Sequence, residues 1–119
     1  KGGRLVISSW QTTINSSWPL WEELGSDVDG LEYLVPMTIF KLQPAHTIWN
    51  EPNALPHLWL EFGDDEEYTS HGFPGSEIGD GDILAVFDTD TPTTTGALFI
   101  ANNGRTIYNA FLLDDGMVA

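Results

Sequence analysis

The 119-residue sequence contains no cysteine. Disulfide staples and thiolate-bound zinc are therefore excluded, and the fold must be held by burial and hydrogen bonding. Basic side chains are almost as scarce, with 4 Lys and Arg against 18 Asp and Glu and a formal net charge of −14 at pH 7. A surface with that balance repels phosphate backbones and anionic headgroups, so neither nucleic acid nor a membrane is an expected partner. No apolar run approaches the ~20 residues that a bilayer-spanning helix needs. No secretory leader is recognisable, and the start at Lys1 rather than Met leads to the expectation that an upstream segment has been removed. Missing too are a long amphipathic helical pattern, an internal repeat, a His-Glu-x-x-His pair and a Gly-x-Ser-x-Gly elbow. His46, His57 and His71 are widely spaced, and Ser70-His71 and Ser76 form no known nucleophile arrangement. The expectation is a non-enzymatic protein.

What is present suits one globular domain spanning residues 1–119. Hydrophobic residues make up 41%, well above the disordered range. A chain of this length can bury roughly two-thirds of its unfolded surface, enough for a core without staples. The pattern is one of short apolar stretches between turn residues. Arg4 to Trp10, Leu31 to Val35, Met37 to Leu42, His57 to Phe62 and Ile83 to Phe87 read as strands. Pro36 marks an edge or bulge, and the nearly continuous apolar run Ile83 to Phe87 marks a central strand. Ala97 to Asn102 and Arg105 to Leu113 flank Asn103-Gly104, a dipeptide suited to a type I′ hairpin turn. Near residues 18–24 one short helical turn is expected, with Ser17 as cap, Pro19 in the first turn and Gly25 at the end. Gln43 to Pro56 and Gly63 to Asp82 read as loops, the latter holding the acidic cluster Asp64 to Glu67. The predicted fold class is all-β, an antiparallel β-sandwich of immunoglobulin-like or jelly-roll type, with a small closed barrel as the alternative.

Four groups of residues carry possible chemistry. Asp80, Asp82, Asp88 and Asp90 flank the strand Ile83 to Phe87 and offer oxygen ligands for a structural calcium ion. Five strand residues span roughly 17 Å, so one ion cannot join both ends without another loop such as Asp64 to Glu67. The spacing from Asp88 is not that of an EF-hand, since Thr93 stands where glycine is required and Phe99 where the bidentate Glu belongs. Apart from this possible calcium, no cofactor is implied. The second group is tryptophan: of five in the chain, Trp18, Trp21 and Trp49 are placed where exposed indoles would stack on sugar rings. Tryptophans equally fill cores and subunit interfaces. Third, Asn15-Ser16-Ser17 is an N-glycosylation sequon, and Thr93 to Thr95 are candidates for O-linked sugar, which would make the chain a glycoprotein. Fourth, Gly2-Gly3 before the strand Arg4 to Trp10 resembles a hinged arm. Residues 1–10 are thus a candidate N-terminal strand for exchange with a neighbouring copy.

Weighed together, these features favour a structural, self-assembling subunit of an extracellular filament, a surface layer or a virion. Its partners would be copies of itself, joined by strand addition or apolar edges. The alternative is a carbohydrate-binding module of a larger secreted protein, with glycans as partners.

Overall fold

The computed structural model describes residues 2–8, 18–28, 38–55, 58–59 and 74–111. Within them the chain forms eight strands, one single-turn α-helix and one 3-10 turn: β1 (Leu5–Ser8), α1 (Trp21–Leu24), β2 (Ser26–Val28), β3 (Thr38–Lys41), the 3-10 turn Thr47–Trp49, β4 (Leu58–Trp59), β5 (Gly75–Glu77), β6 (Asp82–Val86), β7 (Gly96–Ala101) and β8 (Thr106–Asn109). The strand order is β1-β8-β7-β6-β3-β4, with β5 pairing both β2 and β7 beside this path.

The apolar run at β6 becomes the middle of the sheet, as its composition predicts. Ile83, Leu84, Ala85 and Val86 are all buried, and because successive side chains alternate faces, both faces of this strand are covered. β6 pairs antiparallel with β3 through Phe40↔Val86 and Lys41↔Ala85, and with β7 through Ile83↔Phe99 and Ala85↔Leu98. The β6–β7 register shifts twice, between Ile83 and Ala85 and between Ala85 and Val86. An extra residue on one strand raises the local twist, which curls this sheet on itself.

The architecture is therefore a small β-rich fold with a mixed, curled sheet and little helix, not a sheet that is antiparallel throughout. The departure lies at β1, which runs parallel to β8 from Leu5↔Thr106 to Ser8↔Asn109. Antiparallel pairing is dictated only for strands joined by tight turns. About a hundred residues separate β1 from β8, far more than the dozen or so a parallel connection needs.

The hairpin β7–β8 forms where the sequence places it, but its turn is shifted. Ala101↔Thr106 is the last pair, and the backbone N–H of Gly104 donates to the Ala101 carbonyl at 3.0 Å. The central residues are Asn102 (φ 53°) and Asn103 (φ 54°), with Gly104 (φ 78°) following, rather than Asn103-Gly104 as the central pair. Asparagine tolerates the left-handed region, so Asn102-Asn103 meets the positive-φ requirement of this hairpin turn.

The helical turn near residues 18–24 is present as α1, beginning three residues later than the aromatic stretch suggests. Its N-cap is Leu20, which makes no side-chain cap bond; Ser17, expected as the cap, lies outside the described residues. One helical turn has no intrinsic stability. It persists because Trp21 and Leu24, three apart, are buried on one face while Glu22 and Glu23 face water. Gly25 ends it at φ 69°. A Cβ on Gly25 would stand 2.5 Å from Gly81 Cα, and one on Gly81 would collide with the Gly25 carbonyl. This glycine contact lets the helix end sit directly on the turn before β6, where Ile78 N–H donates to the Gly25 carbonyl at 3.2 Å.

The core joins α1 to the hairpin. Trp21 meets Tyr108 edge-on at 5.7 Å between ring centroids, and Tyr108 stacks on Phe99, its cross-strand partner, at 5.9 Å. Two elements were not expected. β2 and β5 lie in stretches of polar and glycine residues, and their pairing Ser26↔Glu77 to Val28↔Gly75 carries little hydrophobic alternation. Loop content is otherwise as read: Gln43 to Leu55 holds only the 3-10 turn, and Asp88 to Thr95 is loop. The expected strand over 31–35, the cluster 64–67, Pro36, His57 and His71 lie outside the described residues.

Candidate functional site

The four aspartates proposed for calcium fall at opposite ends of β6. Asp80 and Asp82 precede its buried stretch, and Asp88 and Asp90 follow it. Asp82 Oδ1 accepts a hydrogen bond from Gln43 Nε2 at 2.7 Å, which ties the end of β3 to the start of β6. Asp88 organises its own loop. Its Oδ1 accepts from Asp90 N–H at 2.8 Å, its Oδ2 from Thr91 Oγ1 at 3.3 Å, and its carbonyl from Thr95 Oγ1 at 3.0 Å. These are the bonds of a turn-forming aspartate. Among the described residues no three His, Asp or Glu side chains are grouped as metal ligands.

The tryptophans are placed for packing. Trp21 is 5% exposed and Trp49 is 2% exposed, so neither indole offers a face to a sugar ring. Trp18 is half-buried against the core and meets Trp21 at 5.0 Å with an interplanar angle of 82°, perpendicular rather than coplanar. Trp49 closes the loop after β3. Lys41 Nζ lies 5.3 Å from its ring centroid and donates to the Leu55 carbonyl at 2.6 Å, while Leu55 N–H donates to the Trp49 carbonyl at 2.7 Å. Its Nε1 is buried with no hydrogen-bond acceptor among the described residues. The platform expected from Trp18, Trp21 and Trp49 is thus not assembled, because burying their large apolar area outweighs keeping them in water.

The modification candidates divide. Asn15 lies outside the described residues. Thr93 and Thr94 are exposed, but Thr95 is 5% exposed and its Oγ1 lies 3.0 Å from both the Asp88 and Thr91 carbonyls, which removes it as an attachment point. His46 caps the 3-10 turn, its Nδ1 accepting from Ile48 N–H at 3.2 Å, and Ser76 sits half-buried in β5.

The remaining candidate is the N-terminal strand. Among the described residues β1 is the end strand of the sheet, paired on one side only. It is apolar at Leu5, Val6 and Ile7, yet only Ile7 packs against the core. Leu5 is 43% exposed and Val6 64% exposed. It is fastened by the Leu5 N–H to Arg105 carbonyl bond at 2.8 Å, by its ladder with β8, and by Asn109 Nδ2 donating to Ser8 Oγ at 3.0 Å. Gly3, just before it, has open space where a side chain would be.

One group escaped the sequence reading. Asn102 Nδ2 lies 2.9 Å from the Glu23 carbonyl, 3.2 Å from Glu23 Oε2 and 2.9 Å from Thr106 Oγ1, tying the hairpin turn to α1. The doubled asparagine before glycine was the available signal, since a residue in the left-handed region often carries a polar side chain that bonds nearby. Comparison with family models, with curated proteins and with solved structures found no match.

Proposed function

We propose that this chain is a non-enzymatic building block that assembles with copies of itself by strand addition at β1, in a filament, surface layer or virion outside the cell. The observation that carries the reading is the exposure of Leu5 and Val6 on an end strand. Soluble proteins shield such edges with lysine, proline, bulges or a covering element. Leu5–Ser8 contains no charge and no proline, and its outer row of backbone groups faces no described strand. An edge of that kind is a template for another chain. The glycan-binding alternative finds no support in the burial of Trp21 and Trp49.

Sedimentation of the full chain against a chain lacking residues 1–10 tests the reading. A folded, monomeric truncation beside an assembling full chain supports it. A full chain that stays monomeric at high concentration refutes it. A truncation that loses its fold returns β1 to a purely internal role, and the milder Val6→Lys then decides, since it charges the edge without removing the strand.

A further inference from the structure

We infer that Arg4 and Arg105 form a basic corner at the start of β1 that docks on the acidic surface of a second copy of this chain. The inference rests on the assembly reading above and adds to it which part of the edge meets the neighbour.

The chain has four basic residues, Lys1, Arg4, Lys41 and Arg105. Lys41 is engaged internally by the Leu55 carbonyl and the Trp49 ring. Arg4 and Arg105 are exposed, and among the described residues neither guanidinium has an ion pair or a hydrogen bond. They are neighbours by register. Each stands one residue before the Leu5↔Thr106 pair on two parallel strands, and Leu5 N–H is bonded to the Arg105 carbonyl. The Arg105 guanidinium rests against the Gly2 backbone, where a Cβ would lie 3.3 Å from Cζ. Lys1 is one residue further along the sequence. Like charges in adjacent strand positions repel, so the arrangement gains from an anionic partner.

Charge complementarity selects that partner. Two copies of net charge −14 repel each other over most of their surfaces. The corner is where that repulsion is locally inverted, and it adjoins the exposed apolar pair Leu5 and Val6. A contact between basic corner and acidic surface joins two different patches, so it can be made once per neighbour and repeated head to tail, or made twice across a two-fold axis.

The test compares self-association of wild type, R4Q/R105Q, R4K/R105K and T89E/T93E by sedimentation at one fixed salt concentration, with circular dichroism to confirm folding. T89E/T93E alters net charge by the same amount as R4Q/R105Q, on exposed residues of the loop at the other end of β7. The expected result is association weakened roughly five- to tenfold in R4Q/R105Q, the modest scale of exposed ion pairs, and unchanged in the other two. Full association of R4Q/R105Q overturns the corner while leaving strand addition intact. Equal weakening in R4Q/R105Q and T89E/T93E overturns it as well, because net charge alone then acts. A monomeric wild type overturns both readings. So does binding of inorganic pyrophosphate by a wild-type monomer that R4Q/R105Q loses, since the corner then serves a small anion.

Discussion

Gly25 and Gly81 are in contact because neither has a side chain, and this sets how closely α1 approaches β6. Gly81→Ala drives a methyl group into the Gly25 carbonyl, a backbone atom that cannot rotate away. The expected cost is about 1–3 kcal/mol, the range for forcing atoms into a filled site, read as a lowered urea midpoint. Gly3→Ala is the control, with nothing within 4 Å of its added Cβ, and its midpoint is expected to stay close to wild type. Thr95 makes a separate point at the same scale. Its buried hydroxyl serves the Asp88 and Thr91 carbonyls at once. Thr95→Val keeps the shape but removes the donor, for an expected loss of about 1–2 kcal/mol, whereas Thr95→Ser keeps the hydroxyl and loses less. Equal losses in the two variants would mean that the methyl packing, not the hydroxyl, holds the loop.

At the scale of elements, the β7–β8 hairpin and α1 depend on each other through Asn102. Two properties meet in that residue, a positive φ and an amide reaching Glu23 and Thr106. They can be separated. Asn102→Gly keeps the backbone angle and loses the amide bonds, for about 0.5–1.5 kcal/mol. Asn102→Ala loses both and is expected to cost a further ~1 kcal/mol from strain in the left-handed region. Thermal unfolding of the pair measures the difference, and identical melting temperatures would remove the backbone contribution. The same element shows how far sequence could see. The hairpin was legible because alternation and turn residues act locally, and the central strand β6 because Ile83 to Val86 can only be satisfied by burial on both sides. The three-residue shift of the helical start and the one-residue shift of the turn were not legible, because Trp21 and Asn102 are positioned by partners distant in sequence. β2 and β5 were hidden for another reason: Ser26, Gly75 and Ser76 pair through backbone bonds in a register that their side chains hardly encode. Of the candidate sites, only the strand character of β1 could be read, from the apolar Leu5 to Ile7. The fate of the indoles could not, since burial depends on what Trp21 and Trp49 meet in three dimensions.

Over the whole molecule, the proposed assembly would be subject to two electrostatic effects of opposite sign that differ in range. The repulsion between copies of net charge −14 is long-ranged, whereas the proposed attraction between the Arg4–Arg105 corner and a facing carboxylate would act over a few ångströms. Salt separates them. The screening length falls from ~30 Å at 0.01 M to ~8 Å at 0.15 M and ~3 Å at 1 M. Between the first two, repulsion between whole subunits is lost while contact pairs survive, so association strengthens. Towards the last, the pairs are screened too, and association weakens to what the apolar contacts of Leu5 and Val6 sustain. The association constant from sedimentation is therefore expected to pass through a maximum at intermediate salt. In R4Q/R105Q the fall at high salt should vanish, leaving a rise to a plateau. A monotonic rise in wild type would show that apolar strand addition proceeds without the corner. A monotonic fall from the lowest salt would show that local attraction outweighs the net charge at every distance, and the acidic surface would then have no part in limiting growth.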